Sequence, residues 1–202
     1  MKLWDKNNSA NEKIIEFTVG DDRLNDLYLI KYDLKASISH AKMLYKTNLL
    51  SEIECDRIIN ILNEMLIEAE SGELKIEKEF EDMHSKIEYT LISRLGDIGK
   101  KIHTARSRND QVLVSIQLYL IDELNNIKTE VKSLFDLLIN LAKKNEKIIM
   151  PGYTHMKAAM PSSFGLWFSA YAETLIDDII SLNSTIKIVN QNTLGSAAGY
   201  GT

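Results

Sequence analysis

One cysteine, two prolines and no long apolar run set the first limits on this 202-residue chain. The lone Cys55 excludes an internal disulfide and a thiolate-based zinc site, and it suits a reducing compartment, so the expected location is the cytoplasm. No stretch of about 18 apolar residues occurs, and the opening MKLWDKNNSANEK lacks a signal-peptide core, so neither a membrane span nor secretion is expected. Neither sign of charge dominates. Lys and Arg number 24 against 29 Asp and Glu, a net −5 spread along the chain, which excludes a general nucleic-acid surface. Neither proline nor glycine falls between Lys100 and Met150, so an uninterrupted helix is permitted there.

What is present is enough apolar material, 45% of residues, for a substantial core. Leu24, Leu27, Tyr28, Leu34, Ile38, Ala41, Leu44 and Tyr45 fall on one helical stripe. SEIE, residues 51–54, has capping-box spacing ahead of a second stripe through Ile58, Leu62 and Met65, which ends at Ser71 and Gly72. A third stripe, Met83 to Leu95, meets Gly96 and Gly99, two candidates for the positive φ that ends helices. From Asp110 an apolar spacing of three to four runs for more than eight turns, and a second long helix is expected to start near Pro161. No repeat or strand pattern is found. The expected class is all-α, with residues 1–109 a small helical domain and 110–202 the first long helices of a central helical bundle.

Two clusters carry chemistry, and both lie where a loop meets a long helix. KKIHTARSRNDQ, residues 100–111, gathers Lys100, Lys101, His103, Arg106 and Arg108 in an acidic chain. Asn109 or Asp110 would cap the helix that begins there, and the unpaired amides and dipole at its start favour an anion. Arg108 offers a forked pair of donors for a carboxylate, while Thr104, Ser107 and Asn109 offer short hydrogen bonds. A solvated basic loop with an ordinary cap explains the same residues. In the second cluster, PGYTHMKAAMP, a proline–glycine turn leads into Thr154 and His155, a histidine able to exchange a proton near neutral pH. On spacing alone a structural or surface histidine is the more common reading, and the same holds for His40 and His84. EDMH, residues 81–84, reads as a helix start in preference to a metal grouping, and Trp167, Phe168 and Tyr171 read as core.

HTARSRNDQV resembles the characteristic segment of the argininosuccinate lyase family, in the superfamily of fumarase, aspartase, adenylosuccinate lyase and delta-crystallin. YDLKASISHAKML, EDMHSKIE, PGYTHMKAAMP and LGSAAGYGT are similar to further segments of that family, so the likeness extends over nearly the whole chain. The resemblance implies a reversible β-elimination that splits argininosuccinate into arginine and fumarate in arginine biosynthesis, with no metal and no organic cofactor. It implies a homotetramer in which each active site combines segments of three subunits. By the same resemblance Ser107, Arg108 and Asn109 bind substrate, and Thr104 and Asp110 shape their loop. Thr154 contacts a substrate carboxylate, His155 does acid–base work, and Asp26 and His84 support them.

Three departures stand against the family pattern. FTVGDDRLND lacks the serine usually found before the position of Asp26, with Thr18 the nearest hydroxyl stand-in. Lys157 replaces a common glutamine. The loop of form GSSxMPxKxNP, which supplies the family's basic serine and a carbanion-stabilising lysine, is not among the 202 residues, so the expectation is that this chain alone does not turn over. Two other readings stay open: another lyase of the superfamily, such as adenylosuccinate lyase, and a non-catalytic helical scaffold like the crystallin relatives.

Overall fold

The computed structural model describes residues 12–193. The described chain separates into two compact units, one running through Tyr119 and the other comprising Leu120–Gln191. The LGSAAGYGT segment and the first residues of the chain lie outside the described part.

The regular elements described in the first unit are all helical. It contains α1 (Glu12–Val19), α2 (Asp22–Lys46), α3 (Glu52–Glu70), α4 (Met83–Leu95), the single turn α5 (Asp97–Lys100), a 3₁₀ turn at Lys101–His103 and the start of α6 (Arg108–Lys144). Of these, α1 was not expected, because eight residues are too few to show an apolar stripe. The box at the start of α3 forms as read: Ser51 Oγ accepts the Glu54 amide at 3.3 Å, and Glu54 Oε2 accepts the Ser51 amide at 3.0 Å. EDMH is a helix start, with Asp82 accepting the Ser85 amide at 2.6 Å. Ile30, Leu34 and Leu44 of α2 pack with Ile58 and Leu62 of α3 and with Ile87 and Leu91 of α4, each buried to 1% exposure or less. This three-helix core fixes everything that faces it.

Gly96 ends α4 at φ +61°, as its freedom from a side chain allows. Gly99 does a different job from the expected one. It lies inside α5, and a Cβ there would collide with the Leu91 carbonyl group, so glycine permits α5 to press against the last turns of α4.

The second unit joins the remainder of α6 to a hairpin and to α7 (Phe164–Val189). The hairpin corrects the expectation of no strand: β1 (Ile149–Thr154) pairs antiparallel with β2 (Lys157–Ser163). Its residues alternate poorly in polarity because neither face of the ribbon is buried, so no period of two was written into the sequence. Pro151 and Pro161 are tolerated as cross-strand partners because both strands of a two-stranded ribbon are edges. Pro161 therefore lies in β2, and α7 starts three residues later, capped by Ser163 Oγ on the Leu166 amide at 3.1 Å. The proline–glycine pair is also not the turn. Gly152 stands opposite two residues of β2, Ala159 and Met160, at a shift of register, and a Cβ there would come within 3.0 Å of the Met160 carbonyl oxygen.

Only small residues are buried in this unit: Ala142 of α6, and Gly165 and Ala172 of α7. A Cβ on Gly165 would lie 2.6 Å from Glu146 Cα, so glycine sets the approach of α7 to the end of α6. Trp167 and Tyr171, read from sequence as core, are instead 44% and 53% exposed and stack edge to face at 5.2 Å. Two helices and a ribbon have no interior large enough to enclose aromatic rings.

The packing at Gly99 yields a direct test. Gly99→Ala is expected to destabilise the first unit by about 1–3 kcal/mol through overpacking against the α4 backbone, measured by urea unfolding. An unchanged midpoint would contradict the close approach.

Candidate active site

The basic run that interrupts an acidic chain is folded inward, and its charges are met by acids from three helices. Lys100 pairs with Asp97 at 2.7 Å and Lys101 with Glu54 at 2.5 Å, both at the surface. His103 Nδ1 donates to Glu88 Oε1 at 2.8 Å. Arg106 is buried, with Nη1 donating to Ser37 Oγ at 2.9 Å. Arg108 Nη2 reaches Glu88 Oε2 at 3.4 Å and Ser85 Oγ at 3.5 Å, and its Nη1 lies 3.8 Å from Asp82 Oδ1. The solvated-loop reading is thus set aside for Arg106 and Arg108. It is kept for the flanking lysines.

The turn into α6 explains this inward fold. Ala105 takes φ +56°, an uncommon conformation for a residue with a Cβ, and it reverses the chain just ahead of Arg106. Ser107 then closes a reciprocal cap: its amide donates to Asp110 Oδ2 at 2.9 Å, and its Oγ accepts the Asp110 amide at 3.3 Å. The cap is therefore Ser107, with Asp110 as the returning carboxylate, in place of Asn109 or Asp110 acting alone. The S-x-x-D spacing of SRND was the signal for it. Asp110 is buried, Ser107 and Arg108 are partly exposed, and Thr104 and Asn109 are exposed.

Behind the loop, α2 presents a polar stripe within its buried face. Asp33 and Ser37 are fully buried and His40 is nearly so. Asp33 Oδ2 lies 2.8 Å from His84 Nδ1, which places the histidine of EDMH against α2. Burial pushes the Asp33 carboxyl up to about 6, opposed by Arg106 and Arg108 and by hydrogen bonds from Gln111 and Ser37. Burial likewise holds Arg106 below the ordinary guanidinium range, countered by Asp33, Glu88 and Asp110. Asp26, also of α2, accepts the Met83 amide at 2.8 Å; burial raises it to about 6 against that bond, with Asp82, Asp22 and Asp33 adding to the rise. Asp26 and Asp82 thus serve one helix start together.

Asp33, Ser37 and Glu88 were not singled out from sequence, and Arg106 was read only as one member of the basic cluster. At i and i+4, Asp33 and Ser37 share the buried face of α2, and polar residues on such a face are the available sign of an internal partner. Among the described residues no three His, Cys, Asp or Glu side chains are grouped as a metal requires.

Thr154 and His155 belong to the second unit. Thr154 pairs with Lys157, leaving His155 and Met156 as a two-residue turn with φ +50° and +64°. Positive φ at both positions is the geometry of a type I′ hairpin, which normally takes Asn-Gly. Neither residue is a favoured occupant, so the tip holds an exposed imidazole on a strained backbone, a combination found where side chains have work to do. Lys157 is exposed as well.

With this geometry in hand, the chain matches the family model described as Lyase over residues 9–202. It is 50% identical over 201 residues to an argininosuccinate lyase of Phocaeicola vulgatus, covering 100% of this chain and 45% of that protein. It is 46% identical over 200 residues to an argininosuccinate lyase of Thermotoga neapolitana, covering 99% and 50%. The chain therefore spans about half the length of the curated relatives it matches. In fold it is similar to EDDS lyase in complex with formate (TM-score 0.75, 24% identity, 96% of this chain and 39% of that one). It is similar also to the class II fumarase of Schistosoma mansoni (TM-score 0.74, 18% identity, 98% and 46%).

His40 gives the pH test. Its Nε2 donates to the Thr104 carbonyl at 2.9 Å, and burial followed by the charge of Arg106 lowers it from 6.5 to about 4. Below 6.5 the unfolded chain binds this proton first, so stability is full above that pH and falls as pH drops toward 4. His40→Asn should lose less stability than the parent across that window in urea unfolding; equal losses would contradict the assignment.

Proposed function

The chain belongs to the Lyase family matched over residues 9–202, and from that premise we propose that the protein it forms part of is an argininosuccinate lyase. The reaction is the reversible elimination that gives arginine and fumarate. The carrying observation is Arg108, held between Asp82, Ser85 and Glu88 at the first turn of a 37-residue helix, with the Ser107 cap beside it. A guanidinium anchored on one side and partly exposed on the other is placed to meet a carboxylate where a helix dipole already favours negative charge.

The chemistry needs that charge complement. A basic side chain, which the resemblance places in the GSSxMPxKxNP loop, takes the proton from the carbon next to one carboxylate of the succinyl group, the electron pair forms the new double bond, and the bond to the guanidino nitrogen breaks. In the transition state the carboxylate carries extra negative charge, which fixed donors stabilise without rearrangement. Ser107, Arg108 and Asn109 bind the substrate, and Thr104 and Asp110 shape their loop. Thr154 holds a substrate carboxylate, and His155, exposed at the hairpin tip, hands a proton to the departing nitrogen. Asp26 and His84 support from the helix start of α4. The reaction draws on no metal or organic cofactor.

Residues 1–109 form the amino-terminal domain and 110–202 the opening part of the central bundle. The working form is a cytoplasmic homotetramer whose sites combine the loop before α6 with hairpins of neighbouring subunits. The exposed Trp167 and Tyr171 and the apolar residues along α6 and α7 support that reading, since such surface is normally covered. The structure has no helix long and apolar enough to cross a membrane among the described residues.

The complete protein should release fumarate from argininosuccinate and not from adenylosuccinate. Arg108→Ala should raise KM and lower kcat/KM at least about a hundredfold, and His155→Ala should lower kcat by about a hundredfold or more. Turnover of adenylosuccinate alone would move the protein to a sister lyase. Absence of turnover with both substrates would favour the scaffold reading, and full activity in both variants would overturn the roles given to Arg108 and His155.

A further inference from the structure

Glu88 lies on α4 at 4% exposure, and its two carboxylate oxygens serve two different elements. Oε1 accepts a hydrogen bond from His103 Nδ1 at 2.8 Å, from the 3₁₀ turn, and Oε2 accepts one from Arg108 Nη2 at 3.4 Å, from the first turn of α6. A buried carboxylate is costly unless both oxygens are engaged, and these are. Glu88 is also a counter-charge of the buried Arg106. A cavity of about 270 Å³ lies beside it, lined by Glu88, Ile92, Gly99, Lys100, Ile102 and His103. The half-exposed imidazole, held above its ordinary pKa chiefly by its hydrogen bond to Glu88, fixes the first of the two oxygens.

We propose that Glu88 is a positioning residue for substrate recognition, pinned by His103 so that its second oxygen fixes the orientation of the Arg108 guanidinium. The inference rests on the reading of Arg108 as a substrate-binding residue. Neither Glu88 nor His103 touches the substrate. Their effect passes through Arg108, so it falls on binding and leaves the chemical step largely alone.

Steady-state kinetics of the complete protein with argininosuccinate decide the matter. Glu88→Gln, which offers one acceptor oxygen and a misplaced donor, should raise KM about tenfold while kcat stays within about twofold. His103→Ala, a change at a half-exposed position that leaves the core intact, should raise KM in the same direction. His103→Asn keeps an amide donor for Glu88 Oε1 and should recover most of the loss. If Glu88→Gln fails to fold, the His103 pair carries the test alone. A native KM in both Glu88→Gln and His103→Ala overturns the proposal, as does an equal defect in His103→Ala and His103→Asn. Arg108→Lys separates this outcome from failure of the underlying reading: an unchanged KM there shows that Arg108 does not bind substrate, whatever Glu88 does.

Discussion

Arg106 carries a full guanidinium charge at 7% exposure, and the first unit is arranged so that this charge is never alone. Removing such a cation from water costs several kcal/mol unless carboxylates and hydrogen bonds replace the lost hydration. Asp33 from α2, Glu88 from α4 and Asp110 from α6 act on it as counter-charges and Ser37 accepts one hydrogen bond, while its buried Nε and Nη2 make none. Arg108 inherits its place from that arrangement. The positive φ at Ala105 turns Arg106 inward, the Ser107–Asp110 cap starts α6 directly afterwards, and Arg108 emerges toward Glu88 and Asp82. The supporting charges Asp33, Glu88 and Asp110 are buried, and the partly exposed arginine of the loop is Arg108.

The same logic accounts for what the sequence could tell. Helices α2, α3 and α4 were legible because each buries one apolar stripe against the others, and burial writes a period of 3.6 into the residues. The cap of α3 was legible because its box is local to Ser51 and Glu54. The hairpin was not, since a ribbon exposed on both faces leaves no alternation and its prolines resemble loop punctuation. The polar lining was hidden for the opposite reason. Asp33 and Ser37 are meaningful only through Arg106, which is 69 residues from Ser37 along the chain. A single sequence without its fold does not reveal such a pairing. The resemblance of HTARSRNDQV named the loop, but the structure supplied the acids that hold it.

The two units solve different problems. The first buries a continuous core and a charged network beside it, so it positions side chains by itself. The second buries only Ala142, Gly165 and Ala172, and it leaves Leu134, Leu137, Leu166, Trp167 and Ile180 exposed. Small residues there bring backbones together while large ones wait for neighbours, the composition of a helix pair that belongs to a larger bundle. The strained His155–Met156 tip fits that division, because a two-residue turn projects its imidazole clear of the unit that carries it.

A crystal structure of the complete protein with fumarate and arginine bound tests the centre of this reading most directly, because it shows what Arg108 meets. The expected result is a fumarate carboxylate on the Arg108 guanidinium and the Ser107 hydroxyl, with Glu88 still bridging His103 and Arg108 from behind. Fumarate bound elsewhere, with Arg108 engaged only by Glu88 and Asp82, would contradict it and leave the buried network a purely structural device.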